Sequence, residues 1–492
     1  MKDSRLIRLI RTFSKEELKS FRKFLESPFL KPARNTISLF DYIAKYYPEY
    51  HEKDIKKEKV FGKLFKGEDY NEKKLFNLIF DLTKAAEDFL AHNTLKEDET
   101  EFLLNLSKGY LNKNLKDESF RVNKLIQKKL RPGFSPSLDY VSKLRRLTHL
   151  QGAYFIQKND FGNLIGSKVN YFEVSAIQFI IDLSEIMSIK KPAMNTYGNN
   201  MESLMVDAIT QSFDIKNLLS ILERSNYDKK SLITLHYYIL KIYEEPDNVS
   251  YYYKLRDTFY NSLEEYDREE RCLVFSKLVN YCVPRSVGDM VEFKKEGLEV
   301  YKRMVSSNSY SFFEDDYMDV VNYRNIVQYC ISLKDTVWLE TFLEMYSDKI
   351  QPGIRDDLKN LSFASLYFIK CEYEKALVEC SKINNEFFLF KTDFKTLMLK
   401  IYYELEYFEQ AYSLIDSYKH FLANSKEIPD SFREIIGNFV KYYSDILKIK
   451  SHSSKESPEF IKQKIEKESK IVNKSWLIEK SNELLKKKHS KV

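Results

Sequence analysis

The chain has 492 residues, 43% of them apolar and 31% charged, with a net charge of +6. Length alone suggests about three domains, but only twelve glycines and eleven prolines in so long a chain point to nearly continuous helix. Five cysteines, odd in number and without CxxC spacing, fit reduced core thiols best. No run of 18 apolar residues and no export signal is present, so the expectation is a cytoplasmic protein without a membrane span.

The charge is uneven. Residues 1–35 carry +6 and residues 451–492 carry +5, leaving −5 for residues 36–450. An acidic body argues against a long nucleic-acid groove. The 70 Tyr and Phe residues are the material of helix–helix seams.

In chain order, Arg5, Arg8 and Arg11 alternate with Leu6, Ile7, Leu9 and Ile10 at helical spacing. This predicts a short amphipathic helix whose arginines are a solvated face or a phosphate contact. Ser14 and Glu17 have capping-box spacing, flanked by Phe13 and Leu18 as a hydrophobic staple. A second helix should therefore start near Lys15, turn Leu18, Phe21 and Leu25 inward, and stop at Ser27-Pro28. Helices are expected over roughly 36–47, 55–65 and 71–95, the last with a buried stripe of Leu75, Leu78, Ile79, Leu82, Ala85 and Phe89.

Long helices should follow from Glu99 to Met187, broken at Asn114, Pro132-Gly133 and Pro136. Gly162 to Lys168 resembles a phosphate loop only faintly: it has one spacer too few, Ser-Lys in inverted order and no strand before it, so it reads as a helix break. Lys190 to Asn200 reads as a loop and a domain boundary. Helices near 201–225, 229–244, 249–265 and 268–283 come next, rich in tyrosines that suit seam packing. Breaks at Pro284–Gly288 and Ser306–Asp316 flank a helix bearing Val300 and Met304. Glu314, Asp315 and Asp316 read as charge at a helix N-terminus. After a helix over about 430–450, one helix from Pro458 to about Lys488 should bury Ile461, Ile465, Val472, Trp476 and Leu484.

One pattern organises the chain. Trp338…Thr341-Phe342, Tyr373…Ala376-Leu377 and Phe408…Ala411-Tyr412 recur at a step of 35 residues. An aromatic and a small residue three apart share a helix face and suit close pressing on a preceding helix. A helix pair repeated at this step must stack on its neighbours to bury its apolar face. With Phe363, Ala364, Tyr367 and Cys380 in one copy, and Met398, Tyr402 and Ile415 in the next, the pattern resembles tetratricopeptide repeats. Leu399 replaces the small residue of the first helix, so that pair should sit further apart. The copy at Trp338 has a longer segment between its helices and matches only in its second helix. Asn360, Lys395, Ile383, Tyr418, Phe388 and Ala423 stand where the family's tryptophan, late alanine and closing proline belong. The first 95 residues also resemble an N-terminal module of uncharacterised bacterial proteins.

The fold class expected is all-α: a helical-hairpin, TPR-like α-solenoid with an N-terminal helical module (1–95), a connecting region (96–190), the solenoid (201–450, clearest at 337–418) and a basic C-terminal capping helix (451–492). The resemblance implies a non-catalytic scaffold or adaptor that holds a protein or peptide in a groove. The matching positions here are Ser365, Phe368, Asp393, Thr396, Lys400 and Tyr403, which lack the Lys/Asn clamp for a C-terminal carboxylate. The alternative is a transcriptional regulator with residues 1–95 on DNA through Arg5, Arg8 and Arg11. Residues 36–95 hold ten basic and eleven acidic residues, which opposes it. Seven scattered histidines and the absence of HExxH, GxSxG and kinase motifs lead to no expected metal, cofactor or catalytic residue.

Overall fold

The structure is a computed structural model describing residues 1–27, 34–130, 137–197, 203–224, 227, 229–286, 291–312, 316–383, 388–425, 428, 430–453 and 456–489. Every regular element among them is helical: twenty-four α-helices and three short 3-10 segments. None of the helices is long and apolar enough to cross a membrane. The chain divides into two compact units, Met1–Phe134 with Asp139–Ser175, and Ser135–Leu138 with Ala176–Val492.

The first unit opens with α1 (Arg5–Arg11), α2 (Lys15–Leu25), α3 (Arg34–Ile43), α4 (Lys57–Leu64) and α5 (Glu72–Glu97). The capping box starts α2: Glu17 N–H donates to Ser14 Oγ at 3.1 Å, and Ser14 N–H donates to Glu17 Oε2 at 2.6 Å. Phe21 and Leu25 are buried; the expected stop at Pro28 lies outside the described residues. The α5 stripe is buried as expected, with Ile79 partly so. Phe21 is the hub of the core, its ring 5.9, 5.0 and 5.2 Å from those of Phe13, Phe40 and Phe89. Gly67, between α4 and α5, has φ +83°, a conformation open to glycine at little steric penalty.

Next come α6 (Glu99–Asn112), α7 (Lys116–Leu130), α8 (Leu138–Lys158) and α9 (Phe161–Tyr197). Two expectations fail in α9. Gly162–Lys168 forms its first turns, and the real break precedes it at Asn159, which is left-handed at φ 55°. Asp160 then caps α9, its Oδ1 accepting from Asn163 N–H at 3.1 Å. The stretch read as a loop from Lys190 remains helical to Tyr197, with Pro192 inside it. Lys190 is buried there and pairs with Asp207 at 2.6 Å.

The second unit continues with α10 (Leu204–Ser212), α11 (Ile215–Leu222), α12 (Lys230–Glu244), α13 (Val249–Asn261), α14 (Arg268–Arg285) and α15 (Val291–Ser306). The single helix expected over 201–225 is two, because Asp214 leaves the helix and caps Asn217 N–H at 2.9 Å. The tyrosine-rich stretch packs into seams: Tyr252 and Phe259 are fully buried, and Tyr252 stacks on Tyr281 at 4.7 Å. Glu314 and Asp315 lie outside the described residues; Asp319 is the residue that caps the next helix.

Then follow α16 (Val320–Leu333), α17 (Thr336–Tyr346), α18 (Pro352–Ile369), α19 (Tyr373–Ser381), α20 (Phe388–Glu404) and α21 (Phe408–Asn424). They pack as helical hairpins, α16 on α17, α18 on α19 and α20 on α21, while α16, α18 and α20 also touch in sequence. All three hairpins turn alike. One non-glycine residue is left-handed, Lys334, Cys371 or Glu406, and the next helix begins two residues later. The following N–H reaches back to an orphan carbonyl, Asp335 to Cys330, Glu372 to Tyr367 and Tyr407 to Tyr402, at 2.9 to 3.0 Å, as in a Schellman closure.

This shared turn corrects the register read from sequence. At the fourth position of α17, α19 and α21 stand Leu339, Ala376 and Ala411, all fully buried. Thr341, aligned above with the two alanines, is exposed. The Trp338 copy is therefore offset by two residues and its inter-helix segment is no longer than the others.

The chain ends with α22 (Asp430–Lys450), α23 (Pro458–Lys467) and α24 (Lys474–His489). The expected single terminal helix is a hairpin. Asn473 is left-handed at φ 53°, and the turn folds the stripe on itself, so Ile461 and Ile465 on α23 share a core with Trp476 on α24.

Candidate functional site

The six groove positions come together on one side of α18 and α20. Positions 393, 396, 400 and 403 rise along one helix face, and 365 and 368 lie on the neighbouring helix. Four of the six, Ser365, Phe368, Lys400 and Tyr403, are at most 8% exposed. The chain itself covers this face.

Asp393 is held by Arg324 of α16, whose Nη2 donates to Oδ1 at 2.8 Å while Nε donates to Oδ2. Burial works to lower the Arg324 guanidinium, but the Asp393 charge more than offsets this and raises it. Thr396 Oγ1 lies 3.1 Å from the Tyr418 hydroxyl, and Ser365 donates to its own helix at Leu361 O.

Lys400 is the least ordinary residue of the set. Its Nζ lies 4.9 Å from the Phe368 ring centre and 5.8 Å from that of Trp476, and it donates to Asn473 Oδ1 at 3.2 Å. Loss of hydration is the main cause that lowers its ammonium to about 8, with Glu404 and Glu479 acting in the opposite sense. One turn on, Glu404 meets Lys480 of α24 at 2.9 Å, a pair with side chains 11% and 6% exposed. Lys480 also reaches Glu483 at 2.8 Å. Burial opposes the Lys480 charge, but these carboxylates outweigh it and raise the group. Trp476 lies edge-on to Tyr403 at 5.3 Å and stacks on Tyr443 at 6.1 Å.

Of the residues contacted by this face, Arg324, Asn473 and Lys480 were not singled out in sequence, and Trp476 was expected to be buried but not to meet α20. Arg324 and Asp393 are 69 positions apart, and Lys480 sits in a helix full of solvated lysines. Only Trp476, one of two tryptophans in the chain, carried a signal.

In α1, Leu6, Ile7 and Ile10 are buried while Arg5, Arg8 and Arg11 are exposed. Arg5 pairs with Glu87 at 2.6 Å and the Arg11 guanidinium lies 5.7 Å from the Tyr50 ring centre. Two of the three are thus engaged by neighbours within the unit.

Two open depressions lie elsewhere in the second unit. One, of about 560 Å³, is lined by Arg256, Tyr260, Glu296, Lys302 and Trp338. Its charges answer one another: Arg256 Nη1 donates to both carboxylate oxygens of Glu296 at 2.9 and 3.0 Å, and Lys302 bridges Glu299 and Asp335, both at 3.1 Å. The other, of about 620 Å³, lies between α20 and α21 around Met398 and Gln410.

His236 is buried, with Nδ1 2.6 Å from Ser184 Oγ. Burial, with the nearby Lys277 charge, lowers it to about 3. Ser184 is itself fully buried, so the pair is a core contact and not an exposed nucleophile. Among the described residues no group of three or more His, Cys, Asp or Glu is placed to hold a metal. Comparison with protein-family models, curated proteins and solved structures finds no match to this chain.

Proposed function

We propose that this chain is a non-catalytic protein–protein interaction scaffold, a TPR-like stack of helical hairpins whose first-helix face recognises a helical segment. What supports this is the occupancy of that face. The side of α18 and α20 that a TPR-like protein turns toward its ligand receives Asn473, Trp476 and Lys480 from α24 and its leading turn. An aromatic anchor and a lysine at i and i+4, entering a face with a buried carboxylate, is the helix-in-groove mode of recognition. The resident helix suggests the chemistry of such a partner: a ring against Tyr403 and a cation for Glu404.

The test is recovery of the tagged protein from its native cell at low salt, with and without nuclease. A stoichiometric protein that survives nuclease is expected. It should cross-link to a photoreactive residue placed at Thr396 or Asp393, and cross-links confined to other surfaces would overturn the assignment of the face. Nuclease-sensitive recovery, lost on changing Arg5, Arg8 and Arg11 to Ala, would replace this reading with that of a DNA-bound regulator.

A further inference from the structure

The two glycines at the start of α9 lack a reason within the chain. Neither has a positive φ. A Cβ added at Gly166 would meet nothing within 4 Å, and at Gly162 only Asp160 Oδ1 at 3.9 Å. Glycine disfavours helix, and here neither backbone conformation nor internal packing calls for it.

The same side of α9 carries the opposite anomaly. Phe161, Ile165, Val169 and Phe172 are 67, 67, 52 and 73% exposed. Their intervals of four, four and three keep them in one stripe, and Gly162 and Gly166 run along its edge. Leu164, Ser167, Tyr171 and Val174 take the other side, where Ser167 Oγ donates to Thr148 O of α8 at 3.0 Å. A helix that already has its inner contacts therefore offers an outer face of large apolar residues beside a strip of bare backbone. That combination suits a second helix at close approach.

We propose that the first three turns of α9 form a two-fold helix–helix interface whose occupant is a second copy of this chain. The stripe is complementary to itself. With two such helices antiparallel and crossing near Gly166, Phe161 of one copy falls opposite Phe172 of the other, and Ile165 opposite Val169. Each apolar residue meets an apolar residue, as an isologous contact requires. Between Phe161 and Val174 the only charges are Lys168 and Glu173, so the segment is neutral and does not repel its own copy. The four side chains offer roughly 500 Å² per copy, and about 1,000 Å² in the pair at full burial stands at the least that a biological interface needs, in the range of weak, reversible contacts. The contact does not depend on the α18–α20 face.

The experiment is sedimentation of the full chain from micromolar to hundred-micromolar concentration. Wild type is expected to dimerise reversibly. Gly166→Leu places a side chain where the monomer has open space, so its circular dichroism and thermal melt should match wild type while the dimer dissociation constant rises by at least about 100-fold. Gly166→Cys, at the residue nearest the axis, should give a disulfide-linked dimer under mild oxidation that the wild type, with its exposed Cys371, does not give. A wild type that stays monomeric throughout, a dimer that Gly166→Leu leaves intact, or a Gly166→Cys chain that fails to cross-link would each overturn the proposal. So would a monomer that binds only an amphipathic peptide at this stripe.

Discussion

The face of α20 and the first turns of α9 depart from ordinary helix patterning in opposite directions. On α20 a lysine is buried at 7% exposure and a glutamate beside it is paired under α24. On α9, phenylalanines stand two-thirds exposed above glycines that nothing inside the chain needs. Buried charge without a partner is strongly unfavourable, so the α20 face is stable only while α24, or a partner helix that takes its place, supplies a cation to Glu404. Exposed apolar area has no such internal demand and weighs on solubility and association instead. The first departure is resolved within the chain. The second asks for something outside it.

The largest expected effect comes from breaking the α20 face. Lys480→Met leaves Glu404 buried without its cation and should lower stability by about 3–5 kcal/mol, read from urea unfolding. Adding Glu404→Leu should restore most of the loss. If the single change has no effect, the pair is not buried in solution.

A smaller effect of opposite sign is expected at Lys400. Its folded-state value is lowered from 10.5 to about 8, so between those values the unfolded chain holds a proton that the folded chain has released. Stability from this group is therefore reduced below about pH 8 and recovers as pH rises towards 10.5. Lys400→Met should stabilise the protein by about 1–3 kcal/mol at pH 7, and the advantage should vanish near pH 10.5. An advantage unchanged with pH would mean that packing, and not the charge, is the cause.

On α9 the effects on the monomer should be smaller still. Gly166→Ala removes the helix penalty of glycine without touching a neighbour and should raise monomer stability by about 0.5–1 kcal/mol. A loss of stability would show that the glycine answers an internal contact after all. Least of all, Arg5→Ala should change stability by no more than about 0.5 kcal/mol, because its pair with Glu87 is largely exposed. This surface pair is the control against which the buried one is judged.

Much of the helical framework was legible. Ser14 and Glu17 mark the start of α2, the stripe from Leu75 to Phe89 marks the inner side of α5, and Tyr373-Ala376 and Phe408-Ala411 mark the second helices of two hairpins. These signals are local, carried by residues within a turn or two of one another. Errors arose where a residue's usual role was overruled by its surroundings. Pro192 and Gly162 punctuate many chains, yet here they lie inside a 37-residue helix. At Trp338, an aromatic and a threonine imitated the repeat two residues out of register, because sequence spacing does not show which face is inward.

The six groove positions fall on α18 and α20, and the burial of four of them was not foreseen. Lysines 400 and 480 look like the many solvated lysines of this chain, since nothing within their own helices reveals a partner 70 or more residues away. By itself the sequence determined the helical class and most helix starts, because caps and 3.6-residue periodicity act over short distances. Only the tertiary structure decided that α23 and α24 fold back as a hairpin, that α24 covers the α20 face, and that the stripe on α9 remains bare. Those outcomes depend on which surfaces meet across long stretches of chain, and burial is a property of the meeting and not of either surface alone.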